Sequence, residues 1–123
     1  MRTESLSDLG ADLLAAARQS TAGRAARTIF GGRDHTLRQT LIALASGQHL
    51  GEHDGPEEAT LQVLSGHVRL HFADRRVWVG EAGEYVTIPQ VRHDLSALED
   101  AVVLLTTTVR RHPADTAGPD PTA

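Results

Sequence analysis

The chain has 123 residues, 40% of them hydrophobic, and a formal net charge of −4, values that fit one small globular domain. The sequence pI is about 5.9 and no basic cluster builds up, which argues against nucleic acid and anionic membrane as partners. Cysteine is absent and all 12 basic residues are Arg, so disulfides, thiolate nucleophiles, Cys-ligated zinc and lysine Schiff bases are excluded.

What remains for metal or acid–base chemistry is 7 His together with Asp and Glu. The four aromatic residues, Phe30, Phe72, Trp78 and Tyr85, leave the core to Leu, Val, Ile and Ala. The apolar runs are short, the longest being of the kind Ala101-Val102-Val103-Leu104-Leu105, and no basic segment precedes a long apolar stretch. Neither a signal peptide nor a membrane span is predicted, and a cytoplasmic location is expected.

Residues 5–18 read as a helix. Ser5 or Ser7 supplies a cap, and Leu6, Leu9, Leu13, Leu14 and Ala17 fall near one face. Gly10 weakens this helix by ~1 kcal/mol relative to Ala. Such a helix is expected to lie over the domain or across a dimer contact. Residues 19–36 are rich in Gly, Ser, Thr and Arg and read as a linker, with Gly31-Gly32 marking a turn.

From Leu37 onward, short strand-like runs alternate with turn signals at Ser46-Gly47, Asp54-Gly55-Pro56, Ser65-Gly66, Ala73-Asp74, Gly80 to Gly83, and Pro89. The spacing predicts strands near 37–45, 49–53, 59–65, 67–73, 75–79, 84–88, 93–97 and 101–109, an all-β arrangement rather than βαβ units. Beyond Arg110-Arg111-His112 the tail lacks large apolar groups and is expected to be disordered. The expected organisation is therefore a helix and linker over 1–36, a β domain over 37–109 and a tail over 110–123.

Two stretches of the β region resemble the paired motifs of the cupin family. In the first, Gly47 is followed by five residues and His53, and the segment closes with Thr60-Leu61-Gln62-Val63-Leu64-Ser65-Gly66. In the second, Gly83 is followed by five residues, Pro89, and then His93 after Gln90-Val91-Arg92, one residue sooner than the family's usual spacing. The resemblance covers residues 37–109. It implies a double-stranded β-helix, the RmlC-like jelly-roll barrel of small single-domain cupins, which closes its sheets around a ligand cavity.

The resemblance also implies a metal site of two His and a Glu from the first motif and one His from the second. His53 matches the first ligand and His93 the fourth, but Gly55 and Ala59 stand at the other two positions. Substitutes are at hand. His49 lies four residues before His53, on the same side if the strand is unbroken, and Glu57 or Glu58 reaches inward if the loop shifts register. His71 and Gln62 are expected to line the ligand pocket.

Two readings follow. One is a small-molecule-binding cupin with or without one divalent metal (Mn, Fe, Ni, Cu or Zn), in which His53 and His93 otherwise hydrogen-bond across a polar pocket. The other is a metal-dependent enzyme of dioxygenase or isomerase type using His53 and His93 with substitute ligands. Adjacent pairs such as Glu52-His53 and His93-Asp94 make poor catalytic dyads, because strand neighbours face opposite ways. Trp78 is expected to pack or to contact a partner, and a homodimer is expected.

Overall fold

The computed structural model describes residues 1–52 and 58–109. Helix α1 (Leu6–Gln19) begins where the Ser5 hydroxyl accepts a hydrogen bond from the Asp8 amide at 3.2 Å, and Asp8 and Arg18 sit at the ends the helix dipole favours. The strands are β1 (Arg24–Phe30), β2 (Leu37–Leu44), β3 (Ala59–Phe72), β4 (Val77–Glu81), β5 (Tyr85–Thr87) and β6 (His93–Thr108). All pairings are antiparallel in the order β1-β2-β6-β3-β4, with β5 also on β3.

β3 and β6 pair with each other along nearly their whole length, from Ala59↔Thr107 to Phe72↔His93. Residues 59–65 and 101–108 lie in one sheet with β1, β2 and β5, whereas residues 67–72 and 93–97 lie in another with β4. Register shifts between Val63 and Val68 mark the bend between the two. Gly66 sits in that bend at φ +83°, and a Cβ there would lie 2.1 Å from the Asp100 carbonyl oxygen, so both the backbone conformation and the close approach require glycine.

The arrangement is a jelly roll, although among the described residues hydrogen bonding does not run round the two sheets into one closed ring, β1 and β4 being the ends of the order. Its interior is a cluster of aliphatic side chains, including Ile42, Leu44, Leu61, Val63, Val68, Leu70, Leu95 and Val103. A second, smaller core lies on the outer face of β2 and β6, where Leu41, Ala43 and Val102 meet Leu9, Leu13 and Ala17 of α1. The unbroken apolar runs Leu41–Leu44 and Ala101–Leu105 are thus strands buried on both faces, the jelly roll on one side and the helix on the other. Gly10, costly in an isolated helix, faces Val102: an added Cβ would come within 3.1 Å of its Cγ1, so the glycine lets α1 approach the sheet.

Several expected boundaries change. The 19–36 linker contains β1, which pairs with β2 from Arg24↔Leu44 to Phe30↔Gln39. The strands expected at 59–65 and 67–73 are one strand, as are those at 93–97 and 101–109, because Ser65-Gly66 and Leu98–Asp100 bend a continuing ladder instead of ending it. Of the strand expected at 49–53, the described residues 49–52 form an isolated bridge, His49↔Ser96, supported by the Leu50 amide donating to Leu95 O at 3.0 Å, and residue 53 lies outside the described residues. The expected tail lies outside the described residues.

One polar tie joins these parts. Asp100 accepts from the Ser46 amide at 2.7 Å and from Arg18 Nε at 2.7 Å, linking β6, the turn after β2 and the last turn of α1. The Ser46 amide first, and the Arg18 guanidinium second, hold its carboxyl below the ordinary value of 3.8. A depressed folded pKa means the stabilisation is complete above the ordinary pKa and is lost as pH falls through the lower folded value. Asp100→Asn is expected to lower Tm at pH 7 by roughly 3 °C, and the difference from wild type should shrink as acid protonates the wild-type carboxyl. Gly66→Ala should cost more than ~1 kcal/mol in denaturant unfolding, since the new methyl meets backbone rather than a movable side chain.

Candidate functional site

The alternation of β6 decides which groups reach the interior. His93, Leu95 and Ala97 are buried and turn inward, whereas Asp94 and Ser96 take the outer face. His93 retains 3% of its surface and is the one charged or polar residue among the buried residues described. Its ring lies tilted against Phe72, centroids 5.7 Å apart, at the end of the β3–β6 ladder.

His93 Nδ1 lies 2.8 Å from the Val91 carbonyl oxygen. A carbonyl only accepts, so this contact puts a hydrogen on Nδ1. The segment Pro89–Arg92 is itself tied down. The Val91 amide donates to Pro89 O at 2.7 Å, Arg92 O accepts from the Ala73 amide at 2.8 Å, and Arg92 Nε donates to Glu52 at 3.3 Å. His93 is therefore held in one orientation.

Around it the lining formed by the described residues is aliphatic: Ile42, Leu50, Leu61, Leu70, Ile88, Leu95 and Leu105 border a cavity of about 20 Å³. That is room for about one water molecule, far below the ~300–1,000 Å³ of a ready-made small-molecule pocket. Larger hollows lie outside the jelly roll. One of about 690 Å³ is bordered by Arg2 and Glu4 of the N-terminal arm, Phe30 of β1 and His35 of the β1–β2 connection, and one of about 420 Å³ runs between α1 and Leu64 and Val102. Neither is bordered by a described candidate site residue.

The other expected site residues are not brought to His93. His49 is exposed, and its Nδ1 lies 3.5 Å from Asp94 Oδ1, on the opposite face of β6 from the His93 ring. The unbroken strand that would have aligned it ends at the single bridge, after which the Gly51 amide turns to donate to Asp94 at 2.8 Å. Glu58 is exposed, and the next residue, Ala59, is the one that turns inward. Gln62 and His71 are likewise exposed, because their neighbours Leu61, Val63, Leu70 and Phe72 take the inward positions of β3. His53, like Glu57, lies outside the described residues.

A transition metal in such a fold needs several imidazole and carboxylate donors at one point. Among the described residues no group of three or more His, Asp or Glu comes together. At the position where the family carries its Glu, Ala59 places a methyl group in the apolar core. The described residues therefore offer one oriented imidazole and no carboxylate. What sequence reasoning missed is the aliphatic lining and the Val91 carbonyl that orients the ring. The strand alternation carried the first, and nothing local announced the second.

No family model and no curated protein matches the chain. Solved structures do. A conserved protein of unknown function from Streptococcus pyogenes is 26% identical, with TM-score 0.64 over 76% of this chain and 79% of that one. A cupin superfamily protein from Desulfitobacterium hafniense is 15% identical, with TM-score 0.64 over 71% and 78%. An RmlC-like cupin from Desulfovibrio desulfuricans is 20% identical, with TM-score 0.59 over 68% and 79%. With the bent β3–β6 pair and two stacked sheets, these likenesses make the chain a small domain of the cupin fold, an RmlC-like jelly roll preceded by one helix.

Proposed function

We propose that this cupin-fold domain is a binding module, in which His93 anchors a small, mostly apolar molecule at one end of the jelly-roll interior. The observation that carries the reading is the lining among the described residues: seven aliphatic side chains and one buried imidazole whose Nδ1 is committed to Val91. Such a wall favours a ligand with an apolar body and one hydrogen-bonding group. Because the cavity is about 20 Å³, the ligand enters by displacing aliphatic side chains rather than by filling open space.

The second reading, a metal-dependent cupin enzyme, has one observation in its favour. A carbonyl on Nδ1 is the support that metal-ligating histidines commonly have, and it leaves Nε2 as the ligand nitrogen. In that reading His93 and His53 hold a divalent ion, which supplies Lewis-acid or redox chemistry. Against it stand Ala59 and the outward courses of His49 and Glu58.

Elemental analysis of protein purified without a metal-affinity tag, alongside His53→Ala and His93→Ala, separates the two. The binding reading expects substoichiometric metal in all three proteins. It also expects phenol, used as a small apolar probe with one hydroxyl, to shift the His93 and Leu95 NMR resonances of wild type but not those around a surface residue such as His71. One metal per chain, lost in both variants, would overturn the metal-free binding reading and support the enzyme reading instead.

A further inference from the structure

β4 ends the strand order, and among the described residues one of its sides is unpaired. The Phe72 amide donates to Arg76 O at 3.0 Å, and Leu70↔Trp78 and Val68↔Gly80 continue the same register. In an antiparallel ladder hydrogen-bonded pairs alternate with non-bonded ones, so Arg76, Trp78 and Gly80 turn their peptide groups toward β3. Val77, Val79 and Glu81 then turn theirs outward. The Glu81 amide bears this out: it donates to the Glu84 carboxylate at 2.8 Å rather than to β3.

The side chains add to this. Val77 and Val79 are 51% and 47% exposed, while Trp78 between them packs against the interior core. An edge strand with bare valines and no Lys, Pro or bulge is a template for another strand. Its ends carry opposite charge, Arg75 before it and Glu81 at its close, and neither forms an ion pair with a described residue.

We infer that the β4 edge docks a second copy of this chain, pairing antiparallel with its own counterpart about a two-fold axis at Trp78. That register sets Val77 of one copy opposite Val79 of the other, twice, each pair joined through the outward peptide groups. It gathers four valines on one face and sets Arg75 opposite Glu81 at both ends. The complementarity selects this axis. Moving the axis one residue to Val79 would place Val77 opposite Glu81 and leave Arg75 without an acidic partner. An interface this small gives a weak dimer that dissociates on dilution.

Sedimentation velocity of the full chain over a dilution series tests the inference. Wild type is expected to move from dimer toward the 13.2 kDa monomer as it is diluted. Arg75→Glu and Glu81→Arg, each alone, should weaken the dimer at least about tenfold, since each sets like charges opposite one another. The combined charge swap should restore it. Val79→Lys should leave only monomer, with an unchanged circular dichroism spectrum showing that it still folds. Wild type that stays monomeric at about 200 μM, where even a weak specific interface should be populated, overturns the inference. So does a dimer indifferent to Val79→Lys and to the single charge changes.

Discussion

The structure depends on the antiparallel ladder between β3 and β6, which runs through both sheets instead of belonging to one. Its first half lies between β2 and β5, its second half between the 47–50 segment and β4, and the change of sheet happens where Gly66 passes the Asp100 carbonyl. Two long strands bent together hold the sheets face to face, so that Leu61 and Val63 from one half meet Leu70 and Leu95 from the other. Burying each of these side chains contributes on the order of 1.5–3 kcal/mol before the ordering entropy is counted. The helix adds a second burial on the outside of the same ladder.

The site follows from that ladder. Starting β6 at His93 with an inward side chain carries the imidazole into a hydrocarbon setting, and the same parity carries Asp94 out to His49. A buried polar group without a partner is costly, and Val91 supplies one from the segment leading into the strand. The parity of β3 works against a donor-rich pocket: Ala59, Leu61 and Val63 turn inward, whereas Glu58 and Gln62 are exposed. Among the described residues the result is a jelly roll with a hydrocarbon interior and one oriented imidazole at its end.

Much of this was legible in the residues. The two motif fragments and the train of short strand signals pointed to the jelly roll, and the Leu6–Ala17 periodicity marked the helix within a residue at each end. Strand lengths were not legible, because Ser65-Gly66 carries the same composition whether it turns a chain back or bends one onward, and only the Asp100 carbonyl beside it decides. β1 was hidden because its Arg-, Ala- and Thr-rich sequence has a mostly exposed pattern, so its strand character comes from pairing with β2. His49, Glu58, Gln62 and His71 stand out in the sequence for their chemistry, but direction along a strand is a matter of register, and at the isolated bridge His49 faces Asp94 rather than His93.

Native-state hydrogen exchange tests the shared ladder most directly. If β3 and β6 form one cooperative unit, the amides of Val63, Val68, Leu95 and Val103 should exchange with a common free energy equal to that of global unfolding. Exchange of Val68 and Leu95 through a separate, lower-energy opening, while Val63 and Val103 stayed protected, would contradict it. The two sheets would then be independent units merely joined by the bend at Gly66.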